Sequence, residues 1–357
     1  MSQVLHSDLN LMILSSLGIS FVIGIIAIAC VLGFVKNRVL DIPNERSSHS
    51  VPTPRGGGVG IFLAVAITLG FFWQFTLNLA AVLIPAIVVT LVSAWDDVKS
   101  VSARVRFGVQ ILASAGFLGI VFYRFQSADI FHAAPFYNQI LVYLFFILFL
   151  LWLSNLYNFM DGADGLVGTQ VVTTMLPALI LIWRLGYSHE AYMITPLVGA
   201  FAAFLFFNWS PAKIFMGDVG SVFTGFFIGA VAILLGAAYE PKIFWSIGTL
   251  CCGFIVDATF TLLVRFSRRD RIWEAHRSHA FQKLIRQGWS HREVALLYGA
   301  INLFWIAPVV LFFSDISLYI MVPLAGIPHL ILCLKLRAGH ELILAPVETP
   351  GEPVSRG

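Results

Sequence analysis

The sequence predicts an all-α, polytopic integral membrane protein with about eleven transmembrane helices, and three observations support this fold class. Hydrophobic residues make up 59% of the 357-residue chain and charged residues only 11%, with a mean hydropathy of +0.87; soluble domains carry about 25% charged residues. The apolar residues form long uninterrupted runs, which a large soluble core would not produce. Lysine and arginine are concentrated in alternate connecting segments, as expected for loops on one side of a membrane.

The first apolar run, residues 11–35, predicts a transmembrane helix rather than a cleaved signal peptide. No basic residue precedes the run, and the run is longer than the apolar region of a signal peptide. The sequence AIAC at residues 27–30 resembles a lipoprotein cleavage site, but the apolar run continues past Cys30. Residues 11–35 are therefore interpreted as the first span.

Ten further apolar runs approach the roughly 20 residues that a helix needs to cross the hydrocarbon core. They lie at residues 59–75, 77–94, 107–123, 139–153, 166–183, 191–207, 219–238, 243–264, 294–313 and 316–334. The second and third spans, and likewise the last two, follow one another so closely that each pair predicts a helical hairpin. We therefore predict a single transmembrane domain over residues 1–336 and a mobile cytoplasmic tail over residues 337–357.

Basic residues predict the orientation of these helices. The loops at 36–58, 95–106, 208–218 and 265–293, together with residues 335–357 after the last span, contain 19 of the 22 lysines and arginines. Because basic residues remain on the cytoplasmic side, we place these loops and the C-terminus in the cytoplasm and the N-terminus in the periplasm. Nucleic-acid binding is the other interpretation of the basic loop 265–293. We reject it because basic cytoplasmic loops are typical of membrane proteins.

Five aspartates lie at the predicted cytoplasmic ends of the helices. They are Asp96 and Asp97 in WDDVKS, Asp161 and Asp164 in NFMDGADG, and Asp218 in FMGDVGS. Neighbouring glycines leave room for a ligand, and on a helical turn Asp161 and Asp164 would share a face. Converging carboxylates repel one another, and oxygen ligands without cysteine indicate Mg²⁺ or Mn²⁺ as the bound cation. The alternative is that each aspartate is a solvated or capping residue, which would not require such grouped motifs.

Arg55 and the three glycines that follow it, residues 56–58, immediately precede the second span. Backbone N–H groups at a helix N-terminus attract anions, and arginine pairs well with phosphate. This segment therefore predicts a phosphate site. The alternative is a plain loop whose glycines permit close helix packing.

The basic loop 265–293 is predicted to contain an amphipathic helix. His276 and His279 are three residues apart within it, and Gly288 would end the helix. Ser290 and Glu293 then form a capping box for the next span. We expect both histidines to face the aspartates, although a solvated amphipathic helix is the alternative.

Asp257 is the one acid placed deep inside a predicted span, 243–264. A charge at that depth is costly and is usually paired or functional. We interpret Asp257 as a structural partner located near the basic loop. The cytoplasmic groups together suit phosphoryl transfer on a diphosphate, because a cation neutralises phosphate oxygens and basic side chains hold them.

Five segments resemble one family of membrane enzymes. DIPNERSSHSVPTPRGGGVG, WDDVKS, NFMDGADGL, FNWSPAKIFMGDVGS and HRSH, between residues 41 and 284, are similar to motifs of the polyprenyl-phosphate N-acetylhexosamine-1-phosphate transferases, the MraY/WecA family. The resemblance implies Mg²⁺-dependent transfer of a sugar 1-phosphate from a UDP-N-acetylhexosamine to polyprenyl (undecaprenyl) phosphate, with release of UMP. It also implies a bacterial inner-membrane location and an active site that faces the cytoplasm. Homodimers are common in the family, so a homodimer is the expected assembly.

The resemblance also assigns roles to the positions that match the family's motifs. The implied catalytic residues are Asp96, Asp97 and Asp218, and the implied metal ligands are Asp218 and Asp97. The implied nucleotide-sugar contacts are Asn158, Asp161, Asp164, Asn208, Phe215, which would stack on uracil, His276 and His279. The implied phosphate contacts are Arg55 and Lys99.

Ser278 departs from the family's pattern, because many relatives carry a further histidine at that place. This departure argues against the muramyl-pentapeptide branch. A chain with serine at this position more closely resembles the WbpL-like subgroup, whose members start O-antigen or related surface polysaccharides. The implied donors are UDP-GlcNAc or a 6-deoxy relative such as UDP-FucNAc or UDP-QuiNAc. Direct attack by the lipid phosphate is the expected mechanism, and a covalent phospho-aspartate is the open alternative.

An ion-coupled membrane transporter is the main alternative function. Transporters place ionisable groups near the bilayer midplane at broken helices, whereas the motif aspartates are predicted at one edge of the membrane. A CDP-alcohol phosphotransferase is a second alternative, but DGADGL lacks the arginine of that signature. The transferase interpretation accounts for more of the motifs than either rival.

Overall fold

The computed structural model describes residues 2–36, 38–42, 51–72, 77–126, 128–132, 136–271, 274, 276–315 and 317–340. Arg46 and Arg356, which contribute to the predicted sidedness, and residues 341–357 of the predicted tail lie outside this part. Within it the secondary structure is helical, apart from a two-residue antiparallel ladder of Leu40–Asp41 with Thr53–Pro54 and one isolated bridge. The prediction of an all-α membrane protein is confirmed.

Fifteen α-helices are described. They are α1 Ser2–Val35, α2 Gly57–Phe72, α3 Leu77–Val98, α4 Ala103–Arg124, α5 Asp129–His132, α6 Phe136–Met160, α7 Leu166–Arg184, α8 Thr195–Asn208, α9 Gly217–Ala238, α10 Pro241–Leu250, α11 Cys252–Ser267, α12 Ala280–Arg286, α13 His291–Ile301, α14 Ala307–Phe313 and α15 Leu318–Lys335. A 3₁₀ helix, Ser188–Met193, precedes α8, and a π-helical turn, Asn302–Ile306, joins α13 to α14.

Nine spans in the described chain are long and apolar enough to cross a membrane, and the bent pair α10 and α11 forms a tenth. Helix α2, with 16 residues, is a shorter apolar element. These elements match the predicted runs one for one. The predicted span over 243–264 is present but broken, because the chain bends by 68° between α10 and α11. The Cys251 N–H is shared between the carbonyls of Ile247 and Gly248, which tightens the turn at this break.

Helix α9 lies at the centre of the bundle, and its membrane window is entirely buried. Glycines permit close contact with its neighbours. A Cβ added to Gly58 of α2 would lie 2.2 Å from Gly220 N, and one added to Gly225 would lie 2.2 Å from Leu153 O of α6. Helices in lipid associate through such small-residue packing, since burial of apolar surface gains little there. This packing brings the N-terminus of α9 beside the start of α2 and the end of α6.

The basic loop contains a shorter helix than predicted. Helix α12 has seven residues, and residues 276–278 precede it without helical structure. Gly288 has a φ of +99° just beyond it. The capping box is confirmed, because Glu293 N–H donates to Ser290 Oγ at 3.2 Å and Ser290 N–H donates to Glu293 Oε2 at 2.8 Å. The two histidines do not share a helix, since His279 is itself the N-cap of α12.

Candidate active site

Asp97, in the last turn of α3, caps the N-terminus of α9. Its Oδ1 accepts a hydrogen bond from Asp218 N–H at 3.3 Å, and its Oδ2 accepts one from Val219 N–H at 3.3 Å. The first N–H groups of a helix have no partner within the helix and favour a negative charge. Gly217 has a φ of +75°, and a Cβ there would lie 2.7 Å from Asp97 Oδ2. The glycine of MGD therefore permits the close docking that places Asp97 beside Asp218.

Arg106, in the first turns of α4, connects two of the predicted catalytic carboxylates. Its Nη1 donates to Asp96 Oδ2 at 2.5 Å and to Asp218 Oδ2 at 3.1 Å. Asp96 Oδ1 also accepts a hydrogen bond from Val101 N–H at 2.7 Å, which fixes the carboxylate. Arg106 was not predicted as a site residue, only as a basic residue of the loop 95–106. Its position in the helix that directly follows WDDVKS is the signal that could have identified it.

Arg55 joins the same cluster from another part of the chain. Its Nη2 donates to Asp41 Oδ2 at 2.6 Å, and its Nη1 lies 3.7 Å from Asp97 Oδ1. The short ladder between residues 40–41 and 53–54 holds Asp41 next to Arg55. Asp41, the first residue of the DIPNERSSHSVPTPRGGGVG segment, was not predicted from sequence as a site residue. The structure thus places Arg55 among the aspartates, where a phosphate group would meet it.

The predicted phosphate site on the backbone of the three glycines is wrong. The N–H groups of Gly56 and Gly57 donate to Phe215 O at 3.0 Å and 2.9 Å, and the N–H of Gly58 donates to Met216 O at 2.9 Å. These donors are already used by the segment that leads into α9. The alternative interpretation, glycines that permit close packing, is the one that the structure supports.

Phe215 and Lys99, two further predicted substrate contacts, have different surroundings. Phe215 is half-buried, and its backbone is held on both sides by the segment that carries Arg55, with Phe215 N–H donating to Pro54 O at 2.8 Å. Lys99 is exposed just beyond the end of α3. Phe215 therefore belongs to the wall of the cluster, whereas the phosphate contact of Lys99 stays a prediction.

The DGADG segment forms a turn between α6 and α7 rather than a helix, so Asp161 and Asp164 do not share a helical face as predicted. Gly165, with a φ of +72°, ends the turn. Asp164 Oδ1 lies 3.2 Å from His291 Nδ1, and its Oδ2 accepts a hydrogen bond from Ala212 N–H at 3.1 Å. Burial alone would raise the pKa of Asp164, but His291 and the Ala212 N–H outweigh it and lower the pKa below its usual value. Asp164 therefore anchors the turn as an anion.

Asp161, on the other side of this turn, is half-buried and electrostatically coupled to the cluster. Burial raises the pKa of Asp161 to about 7, the negative charges of Asp218 and Asp97 add to the rise, and Arg55 opposes it. Asn158, one turn earlier, donates to Ser221 Oγ of α9 at 3.1 Å. Both residues therefore adjoin the N-terminus of α9, as the motif predicted.

Asn208 is buried and joins two loops of the site. Its Oδ1 accepts a hydrogen bond from Gly165 N–H at 2.8 Å, and its Nδ2 donates to Ile214 O at 2.9 Å. The amide thus connects the DGADG turn to the segment that leads into α9. This geometry makes Asn208 a positioning residue, and a direct nucleotide contact stays a prediction.

The two histidines have different surroundings. His276 is half-buried, and its Nδ1 lies 3.0 Å from Ser278 Oγ. Burial lowers the pKa of His276 to about 3, and the neighbouring His279 and Arg265 contribute to the decrease. His279 is buried with its Nδ1 3.5 Å from Asp257 Oδ1. The expectation that both histidines face the motif aspartates is therefore wrong for His279, because the deep carboxylate attracts it instead.

The donor set of this cluster fits Mg²⁺. Asp96 and Asp218 already place two carboxylate oxygens around one cationic nitrogen of Arg106. Within the residues that the structure describes, no group of three or more His, Cys, Asp or Glu side chains could by itself hold a metal ion. Mg²⁺ is usually held by one or two carboxylates together with waters and substrate phosphates. Asp218 with Asp96 suits that arrangement, whereas Asp97 has both oxygens on backbone N–H groups.

Comparison with known proteins gives consistent similarities. Residues 79–236 match the family described as glycosyl transferase family 4. The chain is 26% identical over 310 residues to a probable undecaprenyl-phosphate N-acetylglucosaminyl 1-phosphate transferase of Bacillus subtilis, covering 82% of the chain and 84% of the relative. It is 26% identical over 301 residues to a decaprenyl-phosphate N-acetylglucosaminephosphotransferase of Mycobacterium leprae, covering 74% of the chain and 75% of the relative. It is 30% identical over 217 residues to a phospho-N-acetylmuramoyl-pentapeptide-transferase of Aquifex aeolicus, covering 52% of the chain and 60% of the relative.

Proposed function

Because the chain belongs to glycosyl transferase family 4, the MraY/WecA family, we propose that it transfers N-acetylhexosamine 1-phosphate from a UDP-N-acetylhexosamine to polyprenyl phosphate and releases UMP. The observation that carries the proposal is the bridge from Arg106 to both Asp96 and Asp218. It joins the WDDVKS motif, at the end of α3, to the FMGDVGS motif, at the start of α9. A diphosphate and a lipid phosphate need such a combination of cation, carboxylates and arginine.

In the proposed reaction, an oxygen of the lipid phosphate attacks the phosphorus that carries the sugar. A new P–O bond forms, the P–O bond to UMP breaks, and UMP leaves. Mg²⁺, or Mn²⁺ in its place, would be held by Asp218 with Asp96 and would neutralise the diphosphate oxygens. Arg55 and Arg106 are close enough to these carboxylates to pair with phosphate groups once they enter.

The remaining side chains orient the two substrates. Asp97 and Asn208 fix the start of α9 and the DGADG turn through backbone hydrogen bonds. Asn158, Asp161 and Phe215 line the side of the cluster on which we place the nucleotide sugar. The neutral His276 can donate or accept a hydrogen bond without adding charge.

The finer assignment concerns the sugar and the cell-envelope polymer. We place the chain in a WbpL-like subgroup that uses UDP-GlcNAc or a 6-deoxy relative and initiates O-antigen synthesis, because Ser278 replaces a histidine of the muramyl-pentapeptide branch. The distribution of basic residues supports a multi-pass protein of the bacterial inner membrane with this site facing the cytoplasm. We expect a homodimer.

UMP release by the purified protein tests the function. The assay supplies a panel of UDP-N-acetylhexosamines, with and without undecaprenyl phosphate and Mg²⁺. We expect release only when both substrates and the cation are present, and Asp218→Asn should abolish it while keeping the same thermal unfolding curve. If no UDP-sugar in the panel supports UMP release by a folded protein, the proposal is wrong. A labelled protein intermediate formed without lipid would replace direct attack with the phospho-aspartate route.

The transporter alternative finds less support. It requires an accessible ionisable group at a broken helix near the membrane midplane. The break between α10 and α11 lies six residues before Asp257, but this carboxylate is 0% exposed and fully engaged by neighbouring donors. The motif aspartates Asp96, Asp97 and Asp218 instead lie together where the end of α3 and the first turns of α4 meet the start of α9. Flux of an ion or solute into vesicles, without UMP release, would restore this alternative.

A further inference from the structure

Asp257 holds the first turn of α12 from inside the membrane domain. Its Oδ1 accepts a hydrogen bond from Ala280 N–H at 2.8 Å, and its Oδ2 accepts one from Phe281 N–H at 3.2 Å. The residue itself belongs to α11 and is 0% exposed. A buried carboxylate is costly unless donors surround it, so the position of α12 and the charge of Asp257 depend on each other.

Three side chains complete this network. Tyr298 of α13 donates its hydroxyl to Asp257 Oδ2 at 2.6 Å, and Thr261 donates to Oδ1 at 3.3 Å. His279 Nδ1 lies 3.5 Å from Oδ1. The carboxylate therefore connects α11, α12 and α13 at one point. It lies next to residues 276–279, here called the histidine loop, which lead into α12.

The opposite side of α12 contacts the DGADG turn. A Cβ added to Gly162 would lie 3.0 Å from Phe281 Cζ and 3.9 Å from Gln282 Nε2. The ring of Phe281 also stacks on His279 with centroids 5.9 Å apart, and His279 lies 4.9 Å from the ring of His276. A displacement of α12 would therefore move the histidines and the turn that carries Asp161 together.

We propose that Asp257 is a positioning residue for the transfer reaction: through α12 it fixes both histidines and seats Phe281 against Gly162. This inference rests on the proposed function and adds to it. Asp257 does not touch the substrates. It sets the distance between the histidine loop and the DGADG turn, the two segments that we place around the nucleotide sugar.

Asp257→Asn tests the anchoring directly. The side chain keeps its size but presents an NH₂ group to one of the two backbone donors. Hydrogen exchange should show faster exchange at Ala280 and Phe281, with unchanged protection in α9. Asp270→Asn is the matched control, because Asp270 lies in the same basic region but faces Arg265 and Arg268 at 3.8 Å and 3.6 Å.

Kinetics then separates positioning from simple stabilisation. We expect Asp257→Asn to raise the KM for the UDP-sugar about tenfold, as loss of a buried charge-assisted contact would, and to leave the KM for polyprenyl phosphate within about twofold. Asp270→Asn should leave both values within about twofold. Tyr298→Phe removes one donor at nearly constant volume, so it provides a milder variant if Asp257→Asn does not fold.

A double-mutant cycle gives the decisive result. If Asp257 acts through the histidines, Asp257→Asn should have little further effect on kcat/KM in a protein that already carries His276→Ala and His279→Ala. Effects that multiply, or normal exchange and kinetics in folded Asp257→Asn and Tyr298→Phe, would overturn the proposal. If the wild-type protein releases no UMP, the proposed function fails, and exchange at α12 alone decides whether Asp257 anchors it.

Discussion

Asp97 Oδ1 accepts a hydrogen bond from the backbone N–H of Asp218 at 3.3 Å, so the end of α3 caps the start of α9. One predicted catalytic residue thus fixes the backbone of another. This relationship explains why WDDVKS and FMGDVGS, which are far apart in the chain, must be folded together before any chemistry. It also separates a structural role of Asp97 from the chemical roles proposed for Asp96 and Asp218.

Asp97→Ala should destabilise the protein more than Asp97→Asn. Asparagine retains an oxygen that can accept from the N-terminus of α9, but alanine leaves two N–H groups without a partner. We expect a loss of about 1 kcal/mol for alanine and less than half of that for asparagine. Thermal unfolding of both variants in one detergent measures the difference. Equal destabilisation by the two substitutions would contradict the capping role.

Arg106→Gln should strengthen cation binding while it weakens turnover. Arg106 shares Asp96 and Asp218 with any incoming cation, so its removal leaves two carboxylates that a divalent ion can neutralise. We expect Mn²⁺ to bind at least as tightly as to the wild type and UMP release to fall by about tenfold or more. Titration of Mn²⁺ by electron paramagnetic resonance, with the UMP assay, measures both effects. Arg104→Gln, at an exposed neighbouring position, is the control and should change neither quantity.

Asp161 should make the stability of the metal-free protein depend on pH. Burial raises its pKa from 3.8 to about 7, so the folded state binds the proton more tightly than the unfolded state. The stability contributed by this proton is fully present below the unfolded pKa and is lost as pH rises through about 7. Melting temperatures measured in EDTA from acidic to slightly alkaline pH should decrease more in the wild type than in Asp161→Asn. Parallel curves would show that Asp161 titrates normally.

Gly58→Ala should disrupt the packing of α2 against α9. The added Cβ would lie 2.2 Å from Gly220 N, which is backbone and cannot rotate away. Overpacking of this kind costs about 1–3 kcal/mol, and it would also displace the segment that holds Arg55. Gly70→Ala in the same helix is the control, because nothing lies within 4 Å of its added Cβ. The control should melt at the wild-type temperature or slightly above it, and a similar melting temperature for Gly58→Ala would contradict the close contact.

The sequence predicted spans and motifs more successfully than side-chain directions. Long apolar runs located every membrane element, because hydropathy is a local property. The motifs also identified Asp96, Asp97, Asp161 and Asp218, whose carboxylates or backbone the structure brings together.

The errors concern partners that are distant in sequence. The glycines after Arg55 donate their N–H groups to Phe215 O and Met216 O, and His279 turns toward Asp257. Arg106 was missed for the same reason, since its partner Asp218 lies in a distant motif. Asp41 was missed although its partner Arg55 lies in the same segment. A local pattern cannot show which backbone donors are already used in the folded protein.

Ser278→Ala should weaken the contribution of His276. The Ser278 hydroxyl lies 3.0 Å from His276 Nδ1 and the Ser278 N–H lies 3.5 Å from the same atom. Both groups can donate to Nδ1, so the neutral ring carries its proton on Nε2, the nitrogen left for a substrate. Loss of one hydrogen bond is worth about 0.5–1.5 kcal/mol, and we expect kcat/KM for the UDP-sugar to fall by about two- to tenfold. ¹⁵N chemical shifts of the imidazole report the tautomer, and an Nδ1-protonated ring in the wild type would contradict this role of Ser278.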